Sequence, residues 1–276
     1  MVLTVEAALG DAEDRLQDAG IESGRVDAEI LLCHVLGVSR TQLGVERDRL
    51  LEPAQEERLA ALVERRRTRE PLQYVLGEWG FRRITLKVDS RALIPRPETE
   101  VVVERALELL AGRGEPAVLD VGTGSGAIAL AIADEHRGAR VLGIDSSAAA
   151  LALARENAER CQLGVGFAEH DFFHGLPAGP WDLVVSNPPY VPFEDRAGLA
   201  PEARDWEPAE ALHGPAATHE IARRAVDVLA EGGSLVLEVG DGQAGDAAEL
   251  LRALGYADVR VTPDLTRRER VVEGRR

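Results

Sequence analysis

The chain has 276 residues, of which 45% are hydrophobic and 29% charged, enough length for one large or two modest domains and a composition that excludes wholesale disorder and a fibrous repeat. Its 32 Lys and Arg against 48 Asp and Glu leave a net charge of −16, a mean field that repels a phosphate backbone and argues against a nucleic acid partner. The longest wholly apolar stretch, Ala127 to Ala133, is far short of the roughly 18 residues needed to span a bilayer.

No basic segment precedes an apolar one at the N-terminus, and the two cysteines, Cys33 and Cys161, are too few and too far apart for a disulfide scaffold or a zinc site. These features lead us to expect a cytoplasmic protein with no membrane partner and no metal.

In chain order, the first elements are helical. Val5, Ala8, Leu9, Ala12 and Leu16 recur at spacings of three and four behind a Thr4 cap, with Gly20 as the stop. Val26 to Leu36 repeats the pattern and ends at Gly37, and a third helix runs from Pro53 and must end before Pro71. The run Arg65, Arg66, Arg67, Arg69 falls on that third helix and reads as a solvated charged face. Glu78 to Arg82 and Ile84 to Val88 are short β-prone segments that can pair as a hairpin. The expected organisation is therefore a small helical domain over 1–75, a hairpin linker over 76–97 and a larger domain over 98–276.

After the rigid Ile94-Pro95-Arg96-Pro97 segment the chain alternates helix and strand. Helices are predicted over Glu98–Leu110, Gly126–Asp134, Ser147–Glu159, Thr218–Ala230 and Ala244–Leu254. Strands are predicted over Ala117–Val121, Ala139–Ile144, Val165–Glu169, Asp182–Ser186 and Ser234–Val239, with two more near Ala257–Val261 and Arg270–Val272. Such alternation implies a parallel sheet with helices on both faces and ligands bound beyond the strands' C-terminal ends.

Two loops at those ends carry chemistry. Asp120-Val121-Gly122-Thr123-Gly124-Ser125-Gly126 spaces three glycines between a strand and a helix, so the backbone can approach a ligand with no Cβ in the way. No lysine follows, so it is not a Walker loop, while Gly122, Gly124 and Ala127 also satisfy a loose dinucleotide pattern. Asp145, ending the next strand, is placed for a ribose diol, and Phe172 after the third strand can cover a nucleobase face. The second loop, Ser186-Asn187-Pro188-Pro189-Tyr190, follows the fourth strand. An NH₂ group brings two donors; the Asn187 side-chain oxygen and the Pro188 carbonyl can each accept one, Pro188 and Pro189 fix their separation, and Tyr190 offers a ring face. His170 and His174, four apart in strand and loop, do not read as metal ligands.

The two loops together resemble the class I S-adenosylmethionine-dependent N-methyltransferases. With Leu93-Ile94-Pro95-Arg96-Pro97-Glu98-Thr99-Glu100 and Glu207-Pro208-Ala209-Glu210-Ala211-Leu212, the chain is similar along essentially its whole length to the bacterial release-factor glutamine methyltransferases, the PrmC/HemK family. It departs from the family's Gly-Asp-Gly-Leu-like ending at His213-Gly214-Pro215. The resemblance implies a Rossmann-like α/β fold with a seven-stranded sheet, a helical domain for substrate recognition, and methyl transfer to the Gln amide of the Gly-Gly-Gln motif of class I peptide-chain release factors. It further implies that Gly122, Thr123, Gly124, Ser125, Gly126, Asp145, Phe172 and Asn187 hold S-adenosylmethionine, leaving S-adenosylhomocysteine as product, and that Asn187, Pro188, Pro189 and Tyr190 hold the substrate, with Asn187 and Pro188 catalytic. The Asn-Pro-Pro-Tyr loop also occurs in enzymes acting on nucleic acid adenines, which leaves an adenine-N6 methyltransferase and, further off, a non-catalytic nucleoside-binding protein as alternatives.

Overall fold

The computed structural model describes residues 3–214 and 216–276. The chain divides into two units, one formed by the residues up to Gly77 together with Ala200–Trp206, the other by Glu78–Leu199 and Glu207–Arg276.

The first unit holds α1 (Val5–Asp18), α2 (Gly24–Leu36), α3 (Arg40–Val45), α4 (Pro53–Arg67) and α5 (Leu72–Leu76). Thr4 caps α1 by accepting from the Ala7 N–H, and Gly37 ends α2 in the left-handed conformation at φ 67°. The faces expected from the sequence close on one another: Val5, Leu9, Leu16, Leu31, Leu32 and Val63 are buried together. Two short helices add to the expected set. α3 is held by a reciprocal capping box between Ser39 and Gln42, and α5 starts directly after Pro71.

The arginine run does not form a solvated face throughout. Arg66 is only 5% exposed; its Nε donates to Asp27 Oδ2 at 2.8 Å and its Nη2 lies 2.8 Å from Glu202 Oε1. Arg69 Nη2 donates to the other Glu202 oxygen at 2.8 Å, and Arg65 donates to the Tyr74 and Val75 carbonyls. Glu202 enters this unit from far along the chain, which explains why sequence order alone leaves the arginines without partners.

The second unit opens with a hairpin, β1 (Glu78–Phe81) and β2 (Ile84–Lys87), paired antiparallel with Phe81 opposite Ile84. There follow α6 (Thr99–Leu110), β3 (Ala117–Val121), α7 (Ala127–Glu135), β4 (Arg140–Asp145), α8 (Ala148–Cys161), β5 (Gly166–Glu169) and β6 (Trp181–Ser186). A 3₁₀ turn at Phe172–His174 lies between β5 and β6, and another at Phe193–Gly198 leads to α9 (Pro201–Trp206), the segment that joins the helical unit. The remainder is α10 (Ala209–Leu212), α11 (Ala217–Val228), β7 (Leu229–Glu238), α12 (Ala244–Ala253), β8 (Ala257–Pro263) and β9 (Glu269–Arg275).

The seven strands lie in the order β5-β4-β3-β6-β7-β9-β8. β3 to β7 are parallel, but β9 runs antiparallel to both β7 and β8. The expected parallel sheet is borne out over β3 to β7, with one correction: β9 runs against its neighbours. The five residues between β8 and β9 are too few for a parallel crossover, which needs a dozen or more. A second correction concerns Leu229 and Ala230, expected at the end of a helix; they begin β7, whose early part is irregular opposite β6 and includes Gly232 at φ 71°.

Side chains alternate through the sheet. Val118, Leu183, Val185 and Val236 face α6 and α7, whereas Leu119, Val184, Leu235 and Leu237 face α11 and α12. Among the described residues no helix is long and apolar enough to cross a membrane.

Breaking the buried cluster by Arg66→Ala leaves Asp27 and one Glu202 oxygen without their guanidinium. The expected loss is about 3–5 kcal/mol in the helical unit, read by urea denaturation of the variant against the parent chain.

Candidate active site

Parallel register puts the site on one level. Val121 pairs with Ile144 on one side and Ser186 on the other, and Ser186 pairs with Leu237. The next residue on each strand is therefore Gly122, Asp145, Asn187 and Glu238, four neighbours along the C-terminal edge. Ser186 Oγ donates to the Val121 carbonyl at 2.7 Å, tying β6 to β3 at that edge.

The glycine loop is held from below by the Ile144 carbonyl, which accepts from the Gly122 and Thr123 N–H groups at 2.8 and 2.9 Å. Gly122 and Gly124 have φ of 71° and 55°, conformations that side chains rarely adopt. Gly126, the residue before α7, carries two constraints: its φ is 83°, and a Cβ there would also lie 3.1 Å from Leu130 and 3.3 Å from Ala154.

Asp145 Oδ2 accepts from the Gly124 N–H and Oδ1 from the Ser147 N–H, both at 2.9 Å. Each oxygen keeps a lone pair for a further donor. Burial raises its carboxyl above the usual range while those backbone N–H groups oppose the shift.

These residues line a cleft that opens to solvent, a concave place of the kind small molecules occupy at the C-terminal edge of such sheets. Gly122, Thr123, Gly124, Ser125, Asp145, Phe172, Asn187 and Pro189 all line it. Pro188 is buried. Tyr190 turns its hydroxyl to Glu238 at 3.4 Å, its carbonyl accepts from Gln243 Nε2 at 3.1 Å, and burial pushes its hydroxyl pKa up to about 12. Phe172 packs against Phe173, ring centroids 4.6 Å apart. Arg96, from the proline-rich segment, also lines the cleft, and its Nη2 lies 2.7 Å from both oxygens of buried Glu207.

Two acids given no site role by the sequence, Asp120 and Glu238, emerge here, together with Thr99. Asp120 is fully buried; its Oδ2 accepts from Thr123 Oγ1 at 2.6 Å and from the Ala129 N–H at 3.2 Å, while Oδ1 has no partner. Burial pushes its carboxyl up to about 7. Thr99, a helix-start residue in the sequence, accepts from Asn187 Nδ2 at 3.2 Å and donates to Glu238 Oε2 at 2.7 Å. The signal available for both acids was a carboxylate near the end of an otherwise apolar strand, which folding tolerates only for a reason. His213 is buried, its Nδ1 3.2 Å from the Val191 carbonyl. Pro215 lies outside the described residues. Among the described residues no group of three or more His, Cys, Asp and Glu side chains could hold a metal ion.

The residues present fit a nucleoside: an acid at a strand end with spare lone pairs, and glycines that leave room above the loop. Sheet order and site together define a class I methyltransferase. A solved methyltransferase from Pyrococcus furiosus shares the fold, with a TM-score of 0.51 at 19% identity over 69% of this chain and 87% of that one.

The sequence narrows the class further. Residues 7–77 match the PrmC N-terminal domain family and residues 101–200 the methyltransferase small domain family. The release factor glutamine methyltransferase of Caulobacter vibrioides is 42% identical over 99% of this chain and 97% of its own length. That of Deinococcus radiodurans is 44% identical over 97% of both chains. The chain belongs to the release factor glutamine methyltransferase family.

Asp145 is expected from the sequence to accept from ribose hydroxyls, and Asp145→Ala removes both of its charge-assisted acceptors. Isothermal titration with S-adenosylmethionine should show affinity lowered about tenfold or more, and an unchanged isotherm would remove Asp145 from the cofactor site.

Proposed function

We propose that this protein transfers a methyl group from S-adenosylmethionine to the side-chain amide nitrogen of the glutamine in the Gly-Gly-Gln motif of class I peptide-chain release factors, in the cytoplasm and without a metal. The reading is carried by the shared level of the Asn-Pro-Pro-Tyr and glycine loops, which leave the adjacent strands β6 and β3 and line one cleft. Family membership supports the choice of acceptor.

Bound in the cleft, S-adenosylmethionine supplies an electrophilic methyl on a sulfonium. The glycine loop and Asp145 orient it, with Phe172 beside the adenine. Asn187 Oδ1 and the Pro188 carbonyl accept the two N–H donors of the substrate amide, which sets the nitrogen's position and draws electron density onto it as conjugation is lost. Positive charge is dissipated in this reaction, so alignment rather than an oxyanion site supplies most of the rate. The N-protonated amide that follows transfer is acidic enough to lose its proton without a dedicated base.

The helical unit is assigned to recognition of the protein substrate, because the candidate reactive residues lie in the second unit. A protein partner needs roughly 800 Å² of interface per side, more than a glutamine-binding loop supplies.

Asn187→Ala deletes one of the two acceptors and should lower methylation of release factor by about 30- to 1,000-fold, the equivalent of roughly 2–4 kcal/mol, with cofactor affinity within a few-fold of the parent; activity within threefold would end the proposed role. Hydrogen exchange on the full chain should show residues 3–77 protected on addition of release factor. Protection confined to residues 78–276 would assign recognition elsewhere.

A further inference from the structure

The two ends of the Asn187 amide differ chemically: Oδ1 accepts, Nδ2 donates, and only the first can receive an N–H from a substrate amide. Which end faces the cleft is decided by what the other end meets. Nδ2 meets Thr99 Oγ1 at 3.2 Å. A threonine hydroxyl can donate or accept, so alone it would not decide the matter. Here its single proton is committed to Glu238 Oε2 at 2.7 Å, and an ionised carboxylate only accepts. The chain therefore has one polarity. Glu238 accepts from Thr99, Thr99 accepts from Asn187 Nδ2, and Asn187 Oδ1 is left for the cleft.

We propose that Thr99 and Glu238 are positioning residues that fix the Asn187 amide with Oδ1 toward the methyl-accepting nitrogen. The inference rests on the reading of Asn187 as a substrate acceptor.

Geometry and burial both favour it. Thr99 is 4% and Glu238 1% exposed, so the bond between them is shielded from water. Glu238 ends β7 two residues beyond Val236, on the face that packs α6, and Thr99 is the first residue of α6. An apolar residue at this strand end would avoid the desolvation of a carboxylate. The acid is retained beside Asn187, where its acceptor-only character has a use.

The arrangement carries a pH dependence. Burial pushes the Glu238 carboxyl up to about 7; the hydroxyls of Thr99 and Tyr190 and the charge of Arg270 favour ionisation, and Glu98 opposes it. Above that value Glu238 is an obligate acceptor and the relay has one polarity. Below it, a neutral carboxyl can donate to Thr99, whose own proton then turns to Asn187 and favours the flipped amide, with NH₂ facing the substrate NH₂. The methyl-transfer rate should therefore be full above about pH 7 and fall as pH drops through it.

The test uses full-length enzyme, intact release factor and labelled methyl donor. Thr99→Val keeps the side-chain shape but removes the acceptor; kcat should fall about tenfold, the worth of one hydrogen bond, with S-adenosylmethionine affinity and melting temperature near those of the parent. Thr99→Ser should restore kcat to within threefold. Glu238→Gln keeps an oxygen acceptor that does not titrate in this range, so its single-turnover rate should lose the acidic limb seen in the parent. In an Asn187→Ala background, Thr99→Val should have no further effect, because it acts through the missing amide. Thr99→Val within twofold of the parent, a Glu238→Gln profile with the parent's limb, or full additivity with Asn187→Ala would each overturn the relay. An active Asn187→Ala enzyme would instead bring down the reading beneath it, so the two failures are distinguishable.

Discussion

The site depends on one row of strand register. Ile144, Val121, Ser186 and Leu237 stand abreast on four parallel strands, and each gives way to a residue whose chemistry the site uses. Because side chains alternate across a sheet, a slip of one position in β6 would move Asn187 off this level and turn the inward residues of the strand to the opposite face. Both faces of β3 and β6 are buried, Leu119 and Val184 toward α11 and α12 and Val118, Leu183 and Val185 toward α6 and α7, so the register is held by the fit of particular side chains and by the Ser186 hydroxyl bond to the Val121 carbonyl rather than by apolar–polar alternation. The close packing that builds the core and the β3–β6 ladder therefore also set the separation of the glycine loop from the Asn-Pro-Pro-Tyr loop.

The same edge concentrates carboxylates in a poorly solvated place. Asp120, Asp145 and Glu238 are all shifted upward chiefly by burial, yet each is met by a different set of donors. Asp145 receives two backbone N–H groups, Asp120 a hydroxyl and a backbone N–H, and Glu238 two hydroxyls. None of the three has a close guanidinium partner among the described residues. Such acids are costly to bury, and their placement at or next to the C-terminal ends of β3, β4 and β7 gives an otherwise apolar sheet a polar edge suited to orienting donors.

Local signals are legible in the sequence and long-range ones are not. The strand Ala117–Val121 and the end of α2 at Gly37 follow from apolar period and from a residue type that tolerates positive φ, both contained within a few positions. The insertion of β9 between β7 and β8 is invisible to alternation alone, although the short Asp264–Arg268 connection carries the hint. Arg66 looks like one more solvated cation because its acids, Asp27 and Glu202, lie far off in the chain, Asp27 39 positions away and Glu202 further still. The Thr99–Glu238 bond spans 139 positions, so a helix-start residue and a strand-end acid give no sign of acting on the same amide. Asn187, by contrast, is readable because its neighbours in sequence already limit what the loop can do.

That limit comes from the prolines. Pro188 and Pro189 bring carbonyls but no N–H, so two successive positions of the loop can accept and cannot donate. With the Asn187 amide oriented as proposed, the loop offers acceptors to whatever enters. A carboxamide nitrogen, with two N–H donors, satisfies them; a carboxylate of the same size brings only acceptors and would leave every contact unpaired. A site built to take hydrogen bonds from its substrate rejects an analogue lacking those donors far more strongly than a hydrophobic pocket rejects a methylene difference. Under the role proposed for this loop, discrimination of glutamine from glutamate rests on three adjacent features: two residues that cannot donate and one amide whose ambiguity is removed from behind.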